Sequence, residues 1–279
     1  MDGIILVDKP KGITSRDVVN EISKKFHTKK VGHTGTLDPL AEGLLVVTVN
    51  NATKISSLLT STYKEYIATM KLGVKTDTYD SEGKILEEKE VPSNLNIEET
   101  IASFQKTYLQ EVPIYSSVKV NGKKLYEYAR NNIEVELPKR EVDIKEIEIL
   151  KIDNNIIQFR CLVSKGTYIR SLINDIGLSL GCFAIMTELV RTKVDKFSLD
   201  EAYSLEDIEN NNYKLISIEE TLDYKKIVVD EELEFKIRNG VKLKNSFNIK
   251  DKVLFLNKQN ELLGIYELDN DELKVFRNF

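Results

Sequence analysis

The chain has 279 residues, a length that accommodates one large domain and a smaller second one. Hydrophobic residues make up 41% of the sequence and charged residues 30%, which is typical of a globular protein and excludes a largely disordered chain. The net charge of −5 excludes a uniformly basic nucleic-acid binder, because phosphate binding depends on Lys and Arg.

The N-terminal elements are predicted to be a strand, a helix and a second strand. Residues 2–8 form an apolar run typical of a buried strand, and apolar side chains recur at helical spacing over 14–26. Ser15 is a suitable N-cap for this helix because its hydroxyl can accept a bond from a backbone N–H. The apolar run 44–49 predicts the next strand, so the chain begins as a sheet layered with helices.

A further strand and helix are predicted in the middle of the chain. Residues 64–73 are strand-like and are followed by a cluster of turn formers. Asn96 and Glu99 have the spacing of a capping box, which predicts a helix that continues through Tyr108. An Asn-Gly pair at 121–122 predicts a tight turn inside a basic segment rich in tyrosine.

The second half of the chain is predicted to contain a strand pair, a helix and a small β domain. Residues 141–152 and 156–163 are expected to pair as antiparallel strands, and a helix is expected from residue 168 to Gly181. Short alternating apolar runs predict a separate β domain at 228–279. This mixture of strands and helices predicts an α+β fold.

Acidic and basic segments alternate along the chain. Residues 1–75 contain 11 Lys or Arg against 7 Asp or Glu, whereas residues 200–235 contain 3 against 12. Residues 236–279 are basic again, with 9 against 6. The distribution is compatible with a basic face on an acidic body, and equally with charged segments that are merely solvated.

The loop GHTGTLDPLAEGL at 32–44 places Asp38 before a proline among several glycines. The residue before a proline is forced toward extended backbone, while glycines permit turns that other residues avoid. An isolated Asp-Pro pair usually marks only a turn, but here a predicted helix and a predicted strand hold the loop on both sides. Residues 32–35 also match the G-x-x-G clamp of KH domains, although that clamp joins two helices and a strand is predicted here.

The sequence argues against a metal centre. Two histidines, His27 and His33, and two distant cysteines, Cys161 and Cys182, lack the spacing of a zinc site, and the cysteines are predicted to be free thiols. The signatures of zinc deaminases, P-loops and dinucleotide sites do not occur. The N-terminus is unlike a signal peptide and no apolar run is long enough to span a membrane, so a cytoplasmic protein is expected.

Six blocks of the sequence, in one order, resemble the bacterial TruB-type tRNA pseudouridine synthases. They are VDKPKGITS (7–15), VGHTGTLDPLAEGLL (31–45), YKEYIATMKLGVKTDTYDSEG (63–83), VPIYSSVKVNGKKLYEYAR (112–130), SKGTYIRSLINDIGLSLG (164–181) and ELVRTKVDKF (188–197). The resemblance implies that the protein flips uridine 55 out of the T loop of tRNA and isomerises it to pseudouridine, without a cofactor or metal.

The same resemblance implies a pseudouridine-synthase-type fold with a mixed, largely antiparallel sheet flanked by helices. It makes 1–227 the catalytic domain and 114–141 a mobile RNA-gripping insertion within that domain. It makes 228–279 a small PUA-like RNA-binding domain. The implied partner is tRNA, through its T stem-loop, and no guide RNA or obligatory protein partner is expected.

Three residues are predicted to carry the chemistry. Asp38 is the predicted nucleophile, because a nucleophile divides one difficult step into easier ones; the sequence leaves open addition to C6, attack on C1′ and elimination to a glycal. Arg170 is predicted to hold Asp38 through two parallel hydrogen bonds and to keep it ionised. Tyr66 is predicted to stack on the flipped base and to transfer a proton. The alternatives are that Asp38 only marks a turn, that Arg170 is a surface arginine of a helix, and that Tyr66 is an ordinary tyrosine of a strand.

Seven further residues are predicted to contact the substrate. His33 is expected to help extrude the nucleotide or to contact its phosphate, unless it is only a satisfied loop histidine. Tyr168 and Leu189 are expected to wall the pocket against water, with plain core packing as the alternative. The basic residues expected to grip RNA are Lys119, Lys123, Lys124 and Arg130. The segment with Lys9, Pro10, Gly12 and Ser15 resembles family scaffold and is assigned no chemistry.

Three positions depart from the family pattern. Glu42 stands where Thr is expected, Ser117 where Ala is expected, and Val190 where a second Arg is expected before Arg191. The departure at 190 puts one RNA backbone contact in doubt, and Glu42 adds a negative charge near the loop. None of the three replaces a proposed catalytic group.

The main alternative function is a tRNA-binding and folding chaperone that does not modify its substrate. The joint presence of Asp38, Tyr66 and Arg170 favours the enzyme. A guide-RNA-dependent relative is a third interpretation, and such a protein is expected to carry basic terminal extensions and partner surfaces.

Overall fold

The computed structural model describes residues 2–59 and 62–279. In chain order the strands are β1 (Gly3–Lys9), β2 (Val31–His33), β3 (Glu42–Val49), β4 (Tyr63–Leu72), β5 (Val74–Thr76), β6 (Ile85–Glu88), β7 (Thr107–Glu111), β8 (Lys119–Val120), β9 (Lys123–Lys124), β10 (Lys139–Asp153), β11 (Ile156–Ser164), β12 (Ala184–Val194), β13 (Phe197–Ser198), β14 (Lys225–Val228), β15 (Leu243–Lys244), β16 (Lys252–Leu256), β17 (Leu262–Asp269) and β18 (Glu272–Asn278).

The helices are short and lie between groups of strands. They are α1 (Ser15–Lys25), α2 (Ile97–Ala102), α3 (Leu125–Arg130), α4 (Ile169–Ser179), α5 (Leu205–Glu209), α6 (Ile218–Thr221) and α7 (Glu231–Arg238), with 3₁₀ helices at Asn50–Ile55 and Leu199–Glu201. Within the described residues, no helix is long and apolar enough to cross a membrane.

A nine-stranded sheet forms the body of the protein. Its main path is β1-β3-β12-β4-β11-β10-β7, with β2 paired to β3 and β13 paired to β12. Every pair is antiparallel except β3 with β12, in which Glu42 lies opposite Val190. The predicted α+β fold with a mixed, largely antiparallel sheet is therefore confirmed.

Helix α4 packs across the middle of this sheet. Alternate residues of β11, namely Ile157, Phe159, Cys161 and Val163, are buried and share one apolar cluster with the inward face of α4. Each buried aliphatic side chain of this kind contributes roughly 1.5–3 kcal/mol relative to an exposed one. Apolar packing therefore fixes the position of α4, and with it the position of Arg170 in its first turn.

The predicted N-cap of the first helix is wrong by one residue. Thr14 is the N-cap of α1, because its side chain accepts from the backbone N–H of Asp17 while the Asp17 carboxylate accepts from the N–H of Thr14. Ser15 is buried, and its hydroxyl donates to the Leu37 carbonyl at 3.0 Å and accepts from the Leu37 N–H at 2.8 Å. Ser15 therefore links α1 to the loop that carries Asp38.

The predicted helix from Asn96 through Tyr108 is too long. Helix α2 ends at Ala102, and the Asn96 side chain makes no capping bond to the backbone, although its amide donates to the Glu99 carboxylate. Tyr108 lies in β7, where it is opposite Val142 of β10. Pairing with the edge of the sheet satisfies the backbone of this β-forming segment better than an extension of a short helix would.

The C-terminal part of the chain forms a second, five-stranded sheet with the strand order β14-β16-β17-β18-β15. It starts at Lys225, just before the boundary predicted at residue 228, and α7 packs against it. Leu254 and Ile265 of this sheet share an apolar cluster with Leu6 and Leu44 of the central sheet. The predicted C-terminal β unit is therefore present, and it is joined to the body of the protein by common core packing.

Candidate active site

Asp38 lies in a cavity of about 790 Å³, a size that accommodates a small organic group. The walls come from the loop around Asp38, from β4, from residues 115–117 and from the turn that leads into α4. The sequence-predicted site residues that the fold brings together here are Asp38, Tyr66, Arg130, Tyr168, Arg170 and Leu189. They come from five separate segments of the chain.

Arg170 lies behind Asp38 with only 5% of its side chain exposed. Its Nε is 2.9 Å from Oδ2 of Asp38, whereas Nη1 donates to the Thr78 carbonyl and Nη2 donates to the Tyr115 carbonyl. The predicted pair of parallel hydrogen bonds to Asp38 is therefore not formed, because two of the three guanidinium nitrogens have backbone acceptors. Arg170 connects Asp38 to two other walls of the cavity.

Asp80 is a site residue that the sequence alone did not indicate. Its carboxylate is buried, accepts a 2.6 Å bond from the Thr78 hydroxyl, and lies 3.7 Å from Nη1 of Arg170. Arg170 is consequently placed between two carboxylates, those of Asp38 and Asp80. The available signal was the pair of aspartates in TDTYDSEG, which the sequence reasoning treated only as turn formers.

A second buried arginine holds the opposite side of the loop. Arg191 is 1% exposed, and its Nε donates to the Leu44 carbonyl at 2.7 Å, its Nη2 to the Gly35 carbonyl at 3.0 Å and its Nη1 to the Thr36 carbonyl at 3.4 Å. Gly43 has φ +98°, and a Cβ there would lie 2.5 Å from the Arg191 carbonyl oxygen. Only glycine permits this close approach.

The N-terminal segment completes the support of the loop. The Gly12 N–H donates to the Pro39 carbonyl at 2.8 Å. Lys9 is fully buried, and its Nζ donates to the carbonyls of Pro10 and Ile13. Burial lowers the pKa of Lys9, and the nearby carboxylates oppose that shift. The residues assigned to scaffold therefore fix the backbone on which Asp38 is presented.

Tyr66 faces the cavity from β4 and is 7% exposed. Burial raises the pKa of its hydroxyl, and the Arg191 guanidinium opposes this shift, so the phenol is neutral near pH 7. Cys161 lies opposite Tyr66 in β11, and burial raises the pKa of its thiol to about 12. The thiol beside Tyr66 therefore stays protonated and is not a competing nucleophile.

The segment predicted to grip RNA has one part on the cavity and one part exposed. The β8–β9 hairpin turns at residues 121–122, both with positive φ, and its Lys119 and Lys123 are exposed. Arg130 lines the cavity and lies 5.3 Å from the centre of the Tyr126 ring. Lys124 donates to the Tyr126 hydroxyl. The RNA-binding roles of these residues stay predictions.

His33 ends β2 and is absent from the residues that line the cavity. Its Nδ1 is buried and has no hydrogen-bond partner in the part of the chain that the structure describes. Burial lowers its pKa, and the charges of Arg191, Arg16 and Lys64 lower it further. His33 is therefore a neutral imidazole at pH 7, surrounded by cations.

Two of the three departures from the family pattern lie together. Glu42 and Val190 are opposite one another, and both line a separate cleft of about 460 Å³ with Asp8 and Glu206. Ser117 lines the cavity that contains Asp38. Across the described ranges, no group of three or more His, Cys, Asp or Glu side chains is placed to hold a metal ion.

Two family models match the chain. The N-terminal domain model of the TruB family pseudouridylate synthases matches residues 23–169, and the C-terminal domain model of tRNA pseudouridylate synthase B matches residues 170–230. Among curated proteins, tRNA pseudouridine synthase B of Clostridium tetani is 44% identical over 96% of this chain and 93% of that protein. The protein of the same name from Fusobacterium nucleatum is 45% identical over 98% of each chain.

Solved structures give the same result for the fold. A chain in an H/ACA RNP bound to a substrate RNA containing 2′-deoxyuridine superposes with a TM-score of 0.71 and 25% identity, covering 99% of this chain and 84% of that one. A chain in a Cbf5-Nop10-Gar1 complex superposes with a TM-score of 0.70 and 25% identity at the same coverage. The likeness therefore includes the C-terminal sheet as well as the body.

Proposed function

The chain belongs to the TruB family of pseudouridylate synthases, and on this premise we propose that it isomerises uridine 55 in the T loop of tRNA to pseudouridine. It is a tRNA pseudouridine synthase, the activity for which its curated relatives are named. The observation that carries the proposal is the Asp38 carboxylate, held 2.9 Å from a buried arginine inside a cavity of about 790 Å³.

The reaction is balanced without a co-reactant. The N1–C1′ bond of uridine breaks and a C5–C1′ bond forms, while the proton lost from C5 is matched by a proton gained at N1. Because no net atom or electron is exchanged, the protein needs only to bind, orient and protect the separated base. Extrusion of the base from the RNA stack must precede these steps.

Asp38 supplies the nucleophilic carboxylate in this proposal. The adjacent Arg170 guanidinium, with its Nε 2.9 Å from Oδ2 of Asp38, attracts the carboxylate and holds its orientation. The carboxylate adds to C6, attacks C1′ or promotes elimination to a glycal. In each route it acts from the fixed turn that Ser15, Gly12 and Arg191 support.

Three apolar or aromatic walls protect the intermediate. Tyr66 stacks on the flipped uracil, and its neutral hydroxyl can take part in proton transfer at C5 or C2′. Tyr168 and Leu189 line the same cavity and exclude water that would hydrolyse a reactive sugar. His33, beside the loop, assists extrusion of the nucleotide.

We assign the catalytic domain to residues 1–227 and RNA contacts to Lys119, Lys123, Lys124, Arg130 and the PUA-like region 228–279. The solved neighbours lie in complexes with RNA or with Nop10 and Gar1. We propose that this chain acts on tRNA by itself, in the cytoplasm, and needs no guide RNA, partner protein or cofactor.

Tritium release from C5 of labelled uridine in tRNA tests the proposal, with purified protein and no other component. The expected result is release of one tritium per tRNA, and no release from a matched tRNA in which residue 55 is cytidine with label only at other uridines. Release from several positions would contradict the assignment to uridine 55. Tight tRNA binding with no release would support the non-catalytic chaperone instead.

A further inference from the structure

We propose that Lys64 and Lys165 form an anion subsite at the rim of the cavity, which binds a phosphodiester group of the substrate RNA adjacent to the flipped uridine. This inference rests on the proposed function, because the phosphodiester belongs to the same RNA. It adds a binding site to the cavity and assigns it two residues that have no role in the chemistry proposed above.

Strand alternation directs Lys64 into the cavity. Residues two apart in a strand point to the same face, and Lys64 and Tyr66 both line the cavity from β4. Glu65, between them, points to the opposite face, where it lies 3.1 Å from Arg160 and accepts a bond from Thr192. The nearest carboxylate in sequence therefore does not neutralise Lys64.

The ammonium group of Lys64 lies against the loop that carries Asp38. A Cβ placed on Gly35 would be 2.7 Å from Nζ of Lys64. A side chain at position 35 would therefore displace the ammonium group. The glycine leaves a space that Nζ occupies at the edge of the catalytic loop, so the lysine is positioned by the loop and does not extend freely into solvent.

Lys165 reaches the same end of the cavity from the neighbouring strand. It follows β11, and its backbone N–H donates to the Thr62 carbonyl at 2.9 Å, which places the turn beside the start of β4. Its side chain is exposed and lines the cavity. Lys64 in β4 and Lys165 in the turn after β11 therefore line the same cavity.

The charges around Lys64 leave it without a counterion. Within the described ranges, neither Lys64 nor Lys165 forms an ion pair, and Asp38 is already paired with Arg170. Burial lowers the pKa of Lys64 to about 8, and the positive charges of Arg191 and Lys165 contribute to that shift. A desolvated cation without a partner is costly, and a bound anion would remove that cost.

A phosphodiester fits this place better than a uracil carbonyl does. Lysine is a compact charge with three donors and binds phosphate oxygens without demanding a fixed plane. The base is accommodated by the aromatic and apolar walls at Tyr66 and Leu189, which are buried whereas Lys165 is exposed. The backbone of a flipped nucleotide must pass the rim, where the two lysines lie.

The test uses a T-arm hairpin RNA in which one flanking phosphate at a time is replaced by an uncharged methylphosphonate. Binding is measured for the wild-type protein, for Lys64→Gln and Lys165→Gln, and for Lys71→Gln as the control on the same strand outside the cavity. Lys64→Arg retains the charge and is included as the conservative variant.

We expect Lys64→Gln and Lys165→Gln each to weaken binding of the all-phosphate hairpin by about tenfold and to lower the log–log salt slope by about 0.7. Lys71→Gln should leave both unchanged, and Lys64→Arg should restore most of the affinity. With the methylphosphonate at the contacted position, the Lys64→Gln effect should disappear. Because Lys165 is exposed, Lys165→Gln gives a test that does not depend on a buried substitution.

The subsite would be overturned if Lys64→Gln lost the same affinity on every hairpin. It would also be overturned if neither variant lost affinity for the all-phosphate hairpin. Tritium release by the wild-type protein on the all-phosphate hairpin separates the two proposals. If the wild type releases tritium but the effect of Lys64→Gln does not depend on which phosphate is replaced, only the subsite proposal fails. If the wild type binds the hairpin and releases none, the proposed function fails, whatever the binding measurements give.

Discussion

The loop around Asp38 and the C-terminal sheet are stabilised in different ways. Buried charged side chains support the loop: Arg170, Arg191 and Lys9 all donate to backbone carbonyls. The C-terminal sheet has an apolar core, and most of its ion pairs are exposed to solvent, as where Lys274 is 3.4 Å from Asp269. The first region is held by directional bonds and the second by apolar packing.

This difference determines how precisely each region fixes its backbone and how well it tolerates substitution. A buried donor has few alternative acceptors, so it fixes the backbone closely, but losing it leaves carbonyls unsatisfied at a cost of roughly 1–3 kcal/mol each. Apolar packing depends on area and not on direction, so surface charges over it can change at little cost. The site therefore requires the costlier kind of support.

Asp38→Asn is expected to have the largest effect on activity. The amide keeps the size of the carboxylate but cannot act as a nucleophile, so turnover should fall by more than roughly 10³-fold while tRNA affinity stays within about tenfold. Single-turnover tritium release and a filter-binding titration measure the two quantities. Turnover near the wild-type rate would remove Asp38 from the nucleophile role.

Arg191→Lys should impair both rate and stability. One ammonium group cannot replace three nitrogens that donate to Leu44, Gly35 and Thr36, so we expect about a 10²-fold slower single-turnover rate and a loss of about 3 kcal/mol. Arg277→Lys, in β18 of the C-terminal sheet, is the matched control and should leave the rate unchanged. Equal rates for the two variants would show that Arg191 does not position the loop.

Lys64→Met should raise stability at pH 7 by about 1–3 kcal/mol, because the folded protein holds a desolvated cation whose pKa is lowered from 10.5 to about 8. Between pH 8 and 10.5 the unfolded chain binds more protons at this lysine than the folded chain does. The wild type should therefore gain stability as pH rises through that window, and the difference from Lys64→Met should shrink. Urea unfolding at pH 7 and pH 9 measures the difference in unfolding free energy between the wild type and Lys64→Met. If this difference is the same at both pH values, the cation is not desolvated in the folded protein.

Ser15→Ala and Thr14→Ala should separate loop support from helix capping. Ser15→Ala removes both hydrogen bonds to Leu37, so the chemical step should slow by about tenfold with a loss of about 1 kcal/mol. Thr14→Ala removes the N-cap of α1 and should cost about 1 kcal/mol, with a smaller slowing of the step than Ser15→Ala although Thr14 also lines the cavity. The comparison fails if both variants slow the chemistry equally.

Lys274→Gln should have the smallest effect. Lys274 and its partners Glu267 and Asp269 are all partly exposed to solvent, so the change in unfolding free energy should stay within about 0.5 kcal/mol and the single-turnover rate should not change. A point substitution is preferable to deleting 228–279, since deletion would remove Leu254 and Ile265 from the core shared with the central sheet. A loss well above 1 kcal/mol would mean that the C-terminal sheet also depends on its charges.

Local pattern was sufficient to predict β1, β3, β4, β10, β11 and the helix that bears Arg170, because apolar periodicity records which side of each element faces the core. The central strand β12 was not predicted. It also predicted that Asp38 would be held between a helix and a strand, since proline and glycine restrict the loop locally. The errors occurred where neighbouring signals competed, at the Thr14 cap and at the C-terminal end of α2.

Tertiary structure alone decided how the site is assembled. Arg191 bonds the carbonyl of Leu44, 147 residues earlier in the chain, and Arg170 divides its nitrogens among Asp38, Thr78 and Tyr115. Sequence periodicity reports the face on which a side chain lies, but it does not report which distant backbone carbonyl or charge will lie opposite. Those partners depend on the strand order of the completed sheet, which brings β3, β12, β4 and β11 side by side.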